Sequence, residues 1–193
     1  MNVKVAKFGG SSLADACQFK KVKAIINKDK ARQFIVPSAP GKRSYKDEKV
    51  TDLLYRCQSL AANGEHFEEV FDVIAERYTD IAQDLSLRVD IRAHLQEIWV
   101  NIRNNASAAY AASRGEYLNG ILLADYLGYE FVDAAELVLF DKNGKFDEER
   151  TQKTMSAKLA GKSNVVVPGF YGSLPNGEIK VFPRGGSDIS GAI

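Results

Sequence analysis

Histidine is almost absent from this 193-residue chain, which holds only His66 and His94. Neither stands in a Ser-His-Asp or His-Cys arrangement, which excludes nucleophilic catalysis of that kind, and both fall on predicted, solvated helix surfaces. Cysteine is equally scarce. Cys17 and Cys57 lie far apart without metal-ligand spacing and read as two buried thiols in a reducing compartment. No run approaches membrane-spanning length, and Met1-Asn2-Val3-Lys4-Val5 lacks the apolar stretch of a signal peptide, so a cytoplasmic chain away from any membrane is expected. An excess of either charge is missing too. The 26 Lys and Arg residues against 25 Asp and Glu give a net +1, with neither the basic surplus of a nucleic-acid binder nor the acidic block of a disordered tail. An anionic ligand must therefore be met by local charges. Finally, there is no Gly-x-x-x-x-Gly-Lys-Ser/Thr loop and no protein-kinase signature.

What is present is an alternation of strand and helix. Val3 to Phe8 reads as a strand running into Gly9-Gly10-Ser11-Ser12, with a helix predicted from Ser11 or Ser12 through Phe19, Val22 and Ile26. Phe34-Ile35-Val36 is a second strand, ended by the loop signal Pro37-Ser38-Ala39-Pro40-Gly41. Lys42 to Lys49 reads as an exposed, mobile insertion. Helical stripes follow: Leu53, Leu54, Cys57 and Leu60; Phe67, Phe71, Ile74 and Tyr78; Ile91, Leu95, Ile98 and Ile102; and Leu118, Ile121 and Leu122, closed by Gly128. These stripes, with Trp99, are core faces. Beyond Gly128, the runs 130–133, 137–139 and 164–168 predict strands, 147–159 a surface helix, and Pro175-Asn176-Gly177 a hairpin turn before Ile179 to Phe182. The fold expected is α/β, a three-layer sandwich with a largely parallel sheet and a helical subregion at about 51–127. A last helix begins after Arg184, and the chain reads as truncated one turn into it.

Two glycine loops carry the chemistry. Lys7-Phe8-Gly9-Gly10-Ser11 joins a strand to a helix, where paired glycines let the backbone approach a ligand and unpaired amides attract an anion. Arg184-Gly185-Gly186-Ser187-Asp188 repeats the pattern, with an arginine able to grip a carboxylate or phosphate through two parallel hydrogen bonds. Each taken singly is also a plain strand-to-helix turn. Together they point to phosphoryl transfer. The shortage of a general base fits a carboxylate acceptor, already ionised at neutral pH, for which positioning and charge neutralisation suffice.

On these motifs the chain resembles the aspartate kinases of the amino-acid kinase family. Lys7-Phe8-Gly9-Gly10 resembles one signature, and Gly169-Phe170-x-Gly172 with Arg184-Gly185-Gly186-Ser187-Asp188 a second. Ser38-Ala39, Thr51-Asp52-Leu53-Leu54 and Ser113-Arg114-Gly115-Glu116 fall between them in the family's order. The resemblance implies ATP-dependent phosphorylation of the β-carboxylate of L-aspartate, the first step towards lysine, threonine and methionine. Lys7, with Gly9, Gly10 and Ser11, would hold the phosphoryl group. Arg184 would pair with the α-carboxylate of aspartate and Glu116 with its ammonium group. Ser38, Thr51 and Ser187 would place the β-carboxylate, and Asp188 would orient the charged cluster. Without the family, Ser187 and Thr51 are equally helix caps and Glu116 a solvated helix residue. Magnesium would arrive with the nucleotide, no protein metal site being implied, and the parent protein would be a homo-oligomer. The family's kinase domain continues past the second signature, and regulatory ACT domains usually follow it. The chain is thus expected to be an amino-terminal lobe, inactive alone. Alternatives are a sister kinase of glutamate, acetylglutamate, carbamate or a nucleoside monophosphate, or a non-catalytic amino-acid-binding module.

Overall fold

The computed structural model describes residues 3–183 and 186–193. Four parallel strands form the central sheet: β1 (Lys4–Phe8), β2 (Arg32–Pro37), β3 (Glu130–Phe131) and β4 (Val165–Val166), in the order β1-β2-β4-β3. Phe34 and Ile35 of β2 lie in register with Val165 and Val166 of β4. Because side chains alternate across a strand, the sheet serves two cores. Phe8, Ile35 and Val166 join the larger one, and Val165 and Val167 face the smaller one with Phe34, Met155 and Leu159. Helices therefore cover both faces, as the three-layer expectation requires.

The larger core is built by α1 (Ala16–Asn27), α2 (Val50–Ala62), α3 (Glu68–Asp84), α4 (Ile91–Arg103) and α5 (Ala108–Leu127), so the helical subregion spans four of them. Alanine, leucine and isoleucine surround α5 on every side, and a helix apolar all round belongs inside. Its Ala111–Ala124 stretch is almost wholly buried. Ser107 accepts the Tyr110 amide at its start, and Gly128, at φ 72°, closes its end in the left-handed region where a side chain would be strained. The smaller core is capped by α6 (Glu148–Lys158) and by an antiparallel hairpin of β5 (Tyr171–Ser173) and β6 (Ile179–Val181), before α7 (Gly186–Ala192). Among the described residues no helix is long and apolar enough to cross a membrane.

Five expectations change. The helix after the first glycine loop does not begin at Ser11 or Ser12. Gly10–Leu13 forms a 3-10 turn, and α1 starts at Ala16, where Asp15 accepts the Gln18 amide and is the better cap. Residues 137–139 form no strand, since Leu139 has only an isolated bridge to Ser173 and its amide goes to the Thr151 hydroxyl. Cys17 is exposed; only Cys57 is buried. His66 lies on the loop before α3, and His94 packs edge-on against Tyr117. The 42–49 segment is exposed but tied down, because Asp47 pairs with Arg77 of α3.

Leu122, fully buried at the centre of α5, tests this core. Leu122→Ala should cost about 2–5 kcal/mol of unfolding free energy, measured by chemical denaturation.

Candidate active site

All four strands run the same way, so their carboxyl ends deliver their loops to one edge, where open α/β sheets bind ligands. β1 delivers Lys7 and Gly9-Gly10, and β2 delivers Ser38 to Gly41. The two loops meet backbone to backbone. The Gly41 amide donates to the Gly10 carbonyl at 2.9 Å and the Ser38 amide to that of Phe8 at 3.0 Å. A β-carbon on Gly10 would lie 2.7 Å from the Ala39 carbonyl oxygen, and one on Gly41 2.7 Å from the Gly10 carbonyl carbon. Both glycines are therefore required by contact.

Between these loops lies a cavity of about 490 Å³, walled by Gly10, Ser11, Ser38, Thr51 and Glu116 together with Lys42 and Lys49. Five of the residues expected from sequence thus share one space. Glu116 reaches it from α5 because Gly115 beside it lacks a side chain, where a β-carbon would stand 2.8 Å from that of Ala39. From the same helix, Asn119 donates to the Ser38 carbonyl at 2.6 Å, holding the loop after β2. Thr51 sits inside the first turn of α2 rather than at its cap, which Lys49 occupies.

Lys7 pairs with Asp188 of α7 at 2.8 Å, so β1 and the start of α7 present opposite charges to each other. Gly9 is open around its α-carbon except for the Lys7 ammonium, 3.8 Å from where a β-carbon would stand. Ser187 lies away from the cavity wall, against Gly169, whose β-carbon would come within 2.8 Å of it. Arg184 and Gly185 fall outside the described residues.

Glu116 sets the electrostatics. Only 5% of it is exposed, and its Oε2 has no hydrogen-bond partner among the described residues. Burial raises its pKa; the Ala39 amide and the charges of Arg114 and Lys7 pull it back only partly, leaving it pushed up to about 7. Its neighbour on the helix, Arg114, is itself buried and stacked within 4.7 Å of the Tyr110 and Tyr117 rings. Among the described residues, no three His, Cys, Asp or Glu side chains gather to hold a metal ion.

Lys42, Lys49, Asn119, Arg77 and Asp47 were not among the residues singled out from sequence. One signal did exist. Arg77 falls with Ile74, Tyr78 and Ile81 on one apolar face, and a charge at a core position is informative.

The fold and this edge of the sheet define the class of protein. The chain belongs to the amino acid kinase family, which it matches over residues 2–193. The relatives it resembles are aspartate kinases. Aspartokinase 3 of Bacillus subtilis is 34% identical over 207 residues, covering 99% of this chain and 45% of that protein. Lysine-sensitive aspartokinase 3 of Escherichia coli is 27% identical, covering 98% and 45%. Among solved structures, the aspartate kinase of Clostridium acetobutylicum superposes with a TM-score of 0.96 at 53% identity, over 98% of this chain and 44% of that one. Escherichia coli aspartokinase III in complex with aspartate and ADP superposes at 0.81 with 23% identity, over 96% and 44%, and speaks for the fold alone. The chain thus spans a little under half the length of these relatives.

The raised Glu116 pKa has a signed consequence. The folded state binds the proton more tightly than the unfolded one, so this contribution to stability is complete below the ordinary value of 4.5 and is lost as pH rises through about 7. At about 1.4 kcal/mol per pKa unit it is of order 3 kcal/mol. Melting of the unliganded chain should therefore fall between pH 5 and pH 8, and Glu116→Gln should flatten that slope; equal slopes would refute the assignment.

Proposed function

We propose that the chain holds the acceptor and phosphoryl-binding part of an aspartate kinase, joining the β-carboxylate of L-aspartate to the γ-phosphoryl group of ATP. The product would be 4-phospho-aspartate, the entry to lysine, threonine and methionine synthesis. One observation carries the reading. A buried carboxyl group, one oxygen of which has no partner among the described residues, borders a cavity otherwise lined by serine, threonine, glycine, lysine, alanine and proline. Such a group is costly to ionise until a cation meets it, and the ammonium of a free amino acid is such a cation.

In this reading Glu116 binds the ammonium group and is thereby held ionised. Ser38 and Thr51 orient the β-carboxylate, and Arg184, with Ser187, engages the other end of the amino acid. Lys7, the Gly9 and Gly10 amides and Ser11 receive the phosphoryl group, with Asp188 fixing the Lys7 ammonium. Gly9 accepts this role well, since among the described residues Lys7 is the only side chain close to its open face. A β-carboxylate oxygen forms the new bond to the γ-phosphorus, the bond to the bridging oxygen breaks, and ADP leaves. No proton has to be removed from the acceptor, because an aspartate side chain is already ionised at neutral pH. The enzyme's task is then alignment and charge neutralisation, to which magnesium carried by ATP contributes as a counter-ion.

Calorimetry of aspartate with the chain tests the reading. At pH 7 Glu116 is about half protonated, so binding should release about half a proton, visible as a dependence of the heat on buffer ionisation. N-acetyl-aspartate, which has no ammonium group, should bind at least about tenfold more weakly, and Glu116→Ala should remove the discrimination while sparing phosphate binding. Equal affinity for both ligands would overturn it. ADP release from magnesium ATP, in the presence and absence of aspartate, then measures how much turnover the chain itself supports.

A further inference from the structure

Arg77 is the only charged residue among the buried residues of α3, and 2% of it is exposed. Its side chain does not serve the helix. One terminal nitrogen donates to the Gly41 carbonyl at 3.1 Å, and the other meets both carboxylate oxygens of Asp47 at 2.7 Å. Asp47 in turn receives the Arg43 amide at 2.8 Å and the Arg43 side chain at 3.1 Å. The loop after Ser38 is thus folded around one guanidinium.

The contacts continue in series. The Gly41 peptide is held at its carbonyl by Arg77 and at its amide by the Gly10 carbonyl, 2.9 Å away. Gly10 belongs to the loop assigned to the phosphoryl group. Lys42 and Lys49, which stand in the cavity wall, belong to the same anchored segment as Asp47.

We propose that Arg77, acting through Asp47 and Gly41, is a positioning residue that locks the acceptor loop of residues 38–49 against the phosphoryl-binding loop. The ligand's identity rests on the aspartate kinase reading; the clamp itself does not. Two lines of physical reasoning support it. An apolar side chain of similar volume usually stabilises a core as well as a buried ion pair or better, so stability alone does not call for arginine here. Holding reacting groups in a fixed mutual geometry, by contrast, has a large effect on catalysis, and misplacement by about 1 Å can cost a factor of about 100. Arginine's planar fork grips a carboxylate and a carbonyl through two nitrogens in fixed directions, a geometry that lysine's single ammonium nitrogen does not impose.

The test pairs hydrogen exchange with calorimetry on the full chain, comparing Arg77→Met, Asp47→Asn and Asp47→Glu. Exchange across residues 38–49 should rise about tenfold or more in Arg77→Met and Asp47→Asn, while protection in β1, β2 and α5 stays unchanged. Aspartate affinity should fall about tenfold in the same two variants and recover in Asp47→Glu, which keeps the carboxylate. A purely structural role would instead make affinity follow melting temperature, with Asp47→Glu no better than Asp47→Asn. Unchanged exchange in the loop, or affinity within about twofold of the unaltered chain in a folded variant, overturns the proposal. Should Arg77→Met not fold, the Asp47 variants on the exposed side of the pair decide it. Should the unaltered chain take up no aspartate, the kinase reading fails, and the exchange result alone decides the clamp.

Discussion

Where the backbones of Gly10 and Gly41 meet, a β-carbon on either residue would come within 2.7 Å of the other loop. That contact follows from the parallel sheet, which brings the ends of β1 and β2 side by side, and it determines nearly everything else about the site. The loop after β2 cannot lie closer to the loop after β1, nor can it drift far while Asn119 holds Ser38 and Arg77 holds Gly41. Gly115 permits the same closeness on the α5 side. Three glycines from three elements thus define the cavity by what they omit.

Inside that frame the electrostatics are economical. Lys42 and Lys49 supply positive charge in the wall, Lys7 acts on Glu116 from outside it, and Glu116 is the one buried carboxyl among the wall residues. Glu116 is destabilised as an anion by its surroundings and improved by any ligand that brings a cation. Functional sites are often places where a group is held in an unfavourable state by the rest of the fold, and α5, packed on nearly every side, can impose that state on Glu116.

The fold was largely readable from sequence because its signals were local. Alternating apolar runs marked β1 and β2, stripes of Leu, Ile and Phe marked α2 to α4, and Gly128 closed α5. The misreadings came where two local signals competed. Ser11, Ser12 and Asp15 are all acceptable caps, and only the burial of Leu13 and Ala14 selects the last. Leu137-Val138-Leu139 has strand composition, but its pairing with β5 stops at the single bridge from Leu139 to Ser173. The site was half readable. The paired glycines stood out through chemistry carried in short segments, and Ser38 and Glu116 only through the family resemblance, since by its own segment Glu116 reads as a solvated helix residue. Asn119 and Arg77 did not, since each acts on residues at least 30 positions away, and the lysines of the 42–49 segment looked like ordinary solvated charge. Tertiary contacts of that span leave almost no trace in a single sequence.

The two shifted carboxyl groups at and beside the cavity answer to pH in opposite ways. Asp47 is raised by burial but lowered further by the Arg43 amide and the two guanidiniums, which hold it at about 2, so the clamp keeps its charge across the whole physiological range. Glu116 changes charge at about 7. Acidifying the solution from pH 8 to pH 6 therefore leaves the walls in place but removes the one buried negative charge within them. A single proton, bound inside an unchanged scaffold, thus alters the charge that the cavity wall presents.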